Sequence, residues 1–322
     1  MQAVVYEKYG SPDVLELQEI DVPVLKDDQV LVKAHAASVN PLDWHNMRGE
    51  PLFIRMSEGL TRPKNTGLGA DVAGTVEAVG PNVTLAQPGD EVFGMSVRTL
   101  AEFVAISEEG VVPKPANVTF EEAASVPVAA LTALQGLRNK GGIQAGQKVL
   151  VNGAAGGVGT FAVQIAKSFG AEVTGVCSTR NVQLVRSIGA DHVVDYTHED
   201  FSRNGQRYDL LLDAAGNRSL SALRRVVTPE GTIVLVGAAK GRSGGRPILR
   251  LARGLLRGRF VSQTVVTYMA ARNRDDLLFL KELMEAGKIT PVIDRRYPLS
   301  EVPDAIRYLE AGHAQGKVVI TI

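Results

Sequence analysis

One stretch constrains the fold more than any other, residues 147–167. It opens as an apolar run, Val149 to Val151, with the character of a buried strand. It passes through Gly153, Gly156, Gly157 and Gly159, then continues with Phe161, Ile165 and Ala166 at helical spacing. A strand, a glycine-rich turn and a helix in that order form a cradle for phosphate. Glycine lets the backbone turn sharply and approach a ligand with no Cβ in the way. The free N–H groups and positive dipole end of the following helix then face an anion. The spacing is G-x-x-G-x-x-G, not the commoner G-x-G-x-x-G, so the weight rests on the flanking strand and helix. The competing reading is a tight strand–helix turn that holds no ligand.

From Val149 onward strands and helices alternate. Strands are expected at Val149–Asn152, Glu172–Cys177, His192–Asp195, Asp209–Asp213 and Thr232–Gly237, with helices near 158–169, 180–188 and 218–227. Such alternation implies a parallel sheet with right-handed crossovers, a doubly wound nucleotide-binding domain. Upstream, short strands separated by Pro/Gly turns, among them 30–39, 69–80, 88–94 and 101–106, argue for a β-barrel-like domain. Thr119 and Glu122 have the spacing of a capping box ahead of a helix, and a second helical stretch covers 129–137. The tail offers a strand at Phe260–Thr267, a helix at Asp275–Ala286, another beginning near Glu301 and a strand at Lys317–Ile322. It is too short to fold alone and is expected to pack onto the N-terminal domain. The division expected is 1–122, completed by 268–322, and 123–267.

Charge narrows the partners. Lys+Arg and Asp+Glu both number 35, which gives no case for nucleic acid. The single cysteine, Cys177, excludes an internal disulfide and a cysteine-cluster metal site, and it suits a reducing compartment. The first residues carry charge early and lack the apolar core of a signal peptide. No apolar run is long enough to span a bilayer. A cytoplasmic location is expected.

About twenty residues beyond the glycine turn, a dinucleotide fold places the residue that reads the adenosine ribose. An acid there selects NAD. Here the second strand ends Val176-Cys177-Ser178-Thr179-Arg180, with no acid. Ser178 and Thr179 donate hydrogen bonds and Arg180 supplies a fixed positive charge, a set suited to the 2′-phosphate of NADPH. The alternative is that Ser178 to Arg180 only cap the next helix.

At this point the chain resembles the medium-chain dehydrogenase/reductase superfamily, in its zinc-independent quinone oxidoreductase (zeta-crystallin-like) branch. The resemblance rests on Ser38-Val-Asn-Pro-Leu-Asp43, Gly69-Ala-Asp-Val-Ala-Gly74, Gln87-Pro-Gly-Asp-Glu-Val-Phe-Gly94, Gly153-Ala-Ala-Gly-Gly-Val-Gly159, Val176-Cys-Ser178, Gly189-Ala-Asp-His-Val-Val-Asp-Tyr196 and Ala286-Gly-Lys-Ile. It implies an α/β protein: a Rossmann doubly wound parallel sheet plus a GroES-like β-barrel domain, with the cofactor between them. It further implies that Ala155, Gly157 and Val158, within Gly153–Gly159, line the pyrophosphate, and that Ser178 and Tyr196 hold the 2′-phosphate end, where the charge of Arg180 is already expected. By the same resemblance Thr132 lies beside the nicotinamide ribose, and Val265 and Thr267 are strand positions that meet the nicotinamide; Gly237 is a further candidate cofactor contact. The segment Gly312-His313-Ala314-Gln315-Gly316-Lys317 matches a C-terminal stretch near the cofactor that usually carries Arg at position 315.

The superfamily's zinc alcohol dehydrogenases carry a catalytic Cys and a Gly-His-Glu motif. Here Asn40 stands at the Cys position and Gly69-Ala70-Asp71 at the Gly-His-Glu positions. His45 alone, without thiolate or a second imidazole, does not make a catalytic zinc site. No metal is therefore expected, and reduction of quinones or α,β-unsaturated carbonyls is favoured over alcohol oxidation. Asn40, Asp43, Trp44 and His45 are the candidate catalytic residues. Asn40 is expected near the nicotinamide ribose or substrate oxygen, and the other three at the mouth, with Trp44 as a stacking face. Against this, Asp43 fits a helix cap, Trp44 fits core, and His45 fits an ordinary surface histidine.

Seven basic residues and no acid occupy Lys240 to Arg259, with Arg246, Arg250, Arg253 and Arg257 on one helical face. A solvated helix face is the first reading, and contact with an anionic membrane the second. The expected protein is thus an NADPH-dependent reductase and a homodimer, with small-molecule acceptors. Its rivals are a different carbonyl or enoyl reductase, an alcohol dehydrogenase-like enzyme, and an NADPH-binding structural or regulatory protein of low turnover.

Overall fold

The computed structural model describes residues 1–236 and 262–322. Gly237, the basic run Lys240–Arg259 and the opening residues Phe260 and Val261 of the expected strand lie outside the described residues. The chain forms two compact units. The first is Met1–Leu131 with Arg272–Gly287 and Pro291–Ile322; the second is Thr132–Ala271 with Lys288–Thr290.

The first unit begins with strands β1 (Gln2–Val5), β2 (Glu16–Glu19) and β3 (Gln29–Val39) and helices α1 (Pro41–Arg48) and α2 (Phe53–Glu58). Strands β4 (Asp71–Val79), β5 (Glu91–Met95), β6 (Phe103–Ser107) and β7 (Val111–Pro113) follow, then helix α3 (Phe120–Ala124). Helix α4 (Pro127–Leu134) runs through the division between the units. The capping box forms: Glu122 accepts the Thr119 N–H at 2.8 Å, and the Thr119 hydroxyl accepts the Glu122 N–H at 3.2 Å.

In the second unit, strands β8 (Lys148–Asn152), β9 (Glu172–Cys177), β10 (His192–Asp195), β11 (Tyr208–Asp213), β12 (Val227–Leu235) and β13 (Thr264–Thr267) alternate with helices α5 (Gly157–Ser168), α6 (Val182–Ser187) and α7 (Leu220–Arg225). The order is β10-β9-β8-β11-β12-β13, every pair parallel. Val149–Val151 and Leu210–Leu212 are fully buried, as continuous apolar strands covered on both faces must be. The chain leaves β10 and returns on the far side of β8, so the strand order reverses between β8 and β11. Ligands of open α/β sheets bind at the carboxyl ends around such a point.

Several boundaries differ from expectation by a few residues. β12 starts at Val227, not Thr232, because Val227 pairs with Tyr208 before a register shift. Helix α4 starts at Pro127, and Gln135–Lys140 then winds as a π-helix. There the Gln135 amide donates to the Ala271 carbonyl at 2.8 Å and accepts the Ala271 N–H at 3.0 Å, tying the helix to the end of the second unit.

The tail adds helix α8 (Arg274–Glu285), strand β14 (Ile293–Pro298), helix α9 (Val302–Ala311) and strand β15 (Lys317–Thr321). It completes the first unit: β15 pairs antiparallel with β3, Val318 with Val39 through Thr321 with Ala36. The sheet runs β14-β15-β3-β4-β5-β7, with β6 also on β3. Val302, Ala305 and Ile306 of α9 pack with Val4, Tyr6, Met47 and Leu68. Burying a Val or Ile side chain this way contributes roughly 1.5–3 kcal/mol. Arg48 of α1 holds Glu310 of α9 through two hydrogen bonds.

Candidate functional site

In the second unit the glycine turn follows β8 directly. Gly153 adopts φ +88°, a conformation open to glycine at no steric cost. The Gly153 and Ala154 N–H groups donate to the Val176 carbonyl at 3.2 and 3.0 Å, which folds the turn against β9. Gly156 precedes α5. A Cβ on Gly159 would stand 2.0 Å from the Gly153 carbonyl oxygen, so this glycine is what lets the helix close onto the turn. The first N–H groups of α5, on Gly157, Val158 and Gly159, have no intrahelical acceptor by position, and the first turn holds no acid. Ala155 sits in the turn, buried. Donors, an absent Cβ and an acid-free first turn fit a diphosphate.

The ends of β8 and β11 carry a polar group that sequence reading missed. The Asn152 amide donates to Asp213 at 2.8 Å and to Asn217 at 3.0 Å, and the Gly216 N–H donates to Asp213 at 2.9 Å. Burial pushes the Asp213 carboxyl up, against the hydrogen bonds it accepts. The available signal was a polar residue closing each of two otherwise apolar strands.

Beyond β9, Ser178 opens a short 3-10 turn, Thr179–Asn181, and its hydroxyl accepts from the Asn181 amide at 3.3 Å. Arg180 and Tyr196 are both exposed there. The end of β9 carries no acid of its own, but β10 pairs in parallel with it and ends on Asp195, opposite Cys177, which brings a carboxylate into the neighbourhood. Asp195 accepts from the Thr197 hydroxyl at 2.7 Å and its N–H at 3.0 Å. The Thr179 hydroxyl is the first cause that holds the Asp195 carboxyl below its ordinary range, ahead of Thr197. Burial, and then Asp195, push the Cys177 thiol up to about 11, so it stays a protonated thiol.

Thr132 lies on α4, and its carbonyl accepts the Tyr268 hydroxyl. Val265 and Thr267 lie on β13, paired with Ile233 and Leu235; Val265 is half-buried and Thr267 exposed.

The first unit gathers Asn40, Asp43, Asp71 and Lys317, all buried. Asn40 precedes α1, where its N–H donates to Asp43 at 2.6 Å; the other Asp43 oxygen accepts the Gly69 N–H at 3.0 Å. Asp43 is therefore a buried cap and not the mouth residue expected. Burial raises its carboxyl to about 6, against the Asn40 and Gly69 hydrogen bonds. Trp44 stacks on His45 with ring centroids 3.6 Å apart, and it also packs on the core beneath α9. His45 Nδ1 lies 2.7 Å from the Glu50 carbonyl, which only accepts, so Nδ1 carries the proton. Burial lowers the His45 pKa and favours the neutral ring.

Lys317, expected among the cofactor contacts, is buried against Asn40 and Asp71. It is 3% exposed, and its ammonium turns inward to the Asn40 side-chain oxygen at 2.5 Å and Asp71 at 3.2 Å. The same Asp71 oxygen accepts from the Ser38 hydroxyl at 2.6 Å and the Asn40 amide at 2.8 Å, while its partner oxygen accepts the Val128 N–H at 2.8 Å. His313 is exposed and Ala314 rests on the core around α9. At the position where Arg is usual, the Gln315 N–H donates to Asp294 at 2.9 Å. Among the described residues no group of three His, Cys, Asp or Glu is placed to hold a metal ion.

Two family models match the chain. The alcohol dehydrogenase GroES-like domain covers residues 26–116, and the zinc-binding dehydrogenase model covers 188–320. The mouse NAD(P)H oxidoreductase RTN4IP1, mitochondrial, is 37% identical over all of this chain and 89% of its own length. The chain belongs to the medium-chain dehydrogenase/reductase superfamily, in its quinone oxidoreductase branch. Another member, the NADPH-dependent alkenal/one oxidoreductase, chloroplastic, of Arabidopsis thaliana, is 36% identical over 99% of this chain and 79% of its own. The quinone oxidoreductase of Coxiella burnetii has a solved structure that superposes with TM-score 0.86 at 29% identity, covering 100% of this chain and 99% of that one. The zinc-binding dehydrogenase match begins at residue 188, beyond Asn40 and Gly69–Asp71, so its description says nothing of the positions a catalytic zinc would need.

Proposed function

We propose that this superfamily member is a zinc-independent reductase that transfers hydride from NADPH to a quinone or an α,β-unsaturated carbonyl. The observation that carries the reading is the cradle in which Gly159 closes under the Gly153 carbonyl ahead of an acid-free helix N-terminus. NADPH supplies the hydride when bound. The turn Gly153–Gly159 holds its diphosphate, and Ser178, Arg180 and Tyr196 its 2′-phosphate. Arg180 is the charge that answers a phosphate there; Asp195 already takes hydrogen bonds from Thr179 and Thr197. Thr132, Val265 and Thr267 are assigned to the nicotinamide end, and Gly237, His313 and Ala314 to the remaining cofactor contacts.

The first unit is the substrate domain in this reading. Asn40 orients a carbonyl or ribose oxygen, and the stacked Trp44–His45 pair offers a flat face to a planar acceptor. Leu52, Phe53, Met56 and Leu60 leave apolar surface exposed on and beside α2, which suits an apolar acceptor. The proton that balances the reduction comes from solvent. Zinc independence is supported by side-chain chemistry. Where a zinc enzyme needs thiolate and imidazole, this chain has the Asn40 amide and the Ala70 methyl group, and the neighbouring Asp71 carboxylate is bonded to an ammonium.

The proposed enzyme is a homodimer. β13 is a four-residue edge of its sheet among the described residues, a surface open to strand pairing. Light scattering after gel filtration tests this. A cytoplasmic location is proposed on the single cysteine, which suits a reducing compartment; two relatives are named for mitochondria and chloroplasts, and cell fractionation decides. Membrane contact through 240–259 rests on sequence alone, and equal flotation with neutral and anionic vesicles removes it. NADPH oxidation across a panel of quinones and enones tests the function. Tight NADPH binding without turnover on any acceptor overturns it in favour of a non-enzymatic role.

A further inference from the structure

Lys317 is the most deeply buried lysine or arginine among the described residues, 3% exposed. A buried ammonium is costly unless its hydrogen bonds and charge are answered. Here both are. Asn40 accepts from Lys317 Nζ at 2.5 Å and Asp71 at 3.2 Å, and the Val39 carbonyl stands at 3.5 Å. The two charges fix the Asn40 amide. Its oxygen faces the ammonium, and its nitrogen faces the Asp71 carboxylate at 2.8 Å. Flipping the amide would set NH₂ against NH₃⁺ and oxygen against carboxylate. A side-chain amide has two N–H donors. Asp71 takes one, so the other, held about 120° away in the amide plane, points away from the carboxylate.

We propose that Lys317 is a positioning residue for hydride transfer: with Asp71 it locks the Asn40 amide so that one N–H is always presented as a donor. The proposal rests on the reductase reading, taken with Asn40 serving the carbonyl oxygen of the acceptor. Lys317 touches neither acceptor nor cofactor. Its effect passes through Asn40, and that dependence is what an experiment reads.

The test is a double-mutant cycle on the full chain with Lys317→Met, Asn40→Ala and the pair, measured as NADPH turnover on one active quinone or enone. Methionine keeps much of the lysine stem's volume without the charge. Lys317→Met is expected to lower kcat about 10- to 100-fold, less than the roughly 100- to 1000-fold of removing an oriented donor outright, because the Asn40 amide remains but can turn. NADPH affinity, read by fluorescence titration, is expected to stay within about threefold, since the lysine does not reach the cofactor. The double variant is expected to be no slower than Asn40→Ala. If the losses multiply, or if NADPH affinity falls in step with kcat, Lys317 acts by another route and the proposal is overturned. Unchanged kcat in Lys317→Met overturns it as well. Where Lys317→Met does not fold, Lys317→Gln takes its place in the cycle with a smaller expected loss of kcat, because glutamine still donates to Asn40 but without charge, and with the same non-additivity against Asn40→Ala. A wild-type protein that reduces no acceptor overturns the reductase reading and this inference with it. Wild-type turnover with an additive cycle overturns this inference alone.

Discussion

Asn152 and Asp213 join the carboxyl ends of β8 and β11 by a 2.8 Å hydrogen bond, at the point where the strand order reverses. Asp213 also accepts the Gly216 N–H. Asp213→Ala strands two donors, and a stranded buried donor costs about 1–3 kcal/mol. Thermal unfolding is expected to shift down accordingly, with weaker NADPH binding. A wild-type melting curve together with wild-type affinity would show that the pair has no such part.

Gly159 leaves no room for a side chain. The obstacle is the Gly153 carbonyl, backbone that no rotamer change can move aside. Gly159→Ala is expected to push α5 off the turn, with overpacking costing roughly 1–3 kcal/mol. Isothermal titration is expected to show NADPH affinity lost by at least about tenfold, the equivalent of 1.4 kcal/mol.

Arg180 is the fixed charge beyond β9. Arg180→Ala is expected to weaken NADPH by about tenfold, just under the roughly 1.5–3 kcal/mol of a charged hydrogen bond, because solvent screens an exposed guanidinium. NADH affinity is expected to stay constant, so the ratio of the two kcat/KM values is the measurement. Equal losses for both cofactors would move the 2′-phosphate elsewhere.

Asp43 makes stability depend on pH in a definite direction. Its folded carboxyl sits at about 6, above the ordinary 3.8. Between those values the folded state keeps a proton that the unfolded chain has released, so stability falls as pH rises from about 4 to 6 and is level above. Asp43→Asn has no such step. The stability gap between wild type and variant, from urea unfolding, is expected to narrow by on the order of 3 kcal/mol across that window.

Most of the fold was legible because its signals are local. A run such as Val149–Val151, capped by glycines, specifies strand and turn within a few residues, and Thr119 with Glu122 announces a helix start. The cradle was readable for the same reason. What could not be read were contacts set by topology. Asp195 comes beside Thr179 only because β10 lies next to β9, and nothing in the Ser178–Arg180 segment shows it. Lys317 turns inward because β15 brings it against Asn40 and Asp71, a pairing no spacing rule reports. Asp43 looked like a site residue and a cap at once; only the Gly69 N–H on its second oxygen decided between them.

The β3–β15 pairing has a consequence for synthesis. Lys317 and Val39 are 278 positions apart, with the whole nucleotide-type unit encoded between them. On the ribosome the early strands emerge first but wait, one neighbour missing, while the intervening unit is made and can already collapse. The piece translated first is thus the last to close, and a nascent chain stalled before β15 exposes the flank of β3 to whatever chaperone or stray strand reaches it.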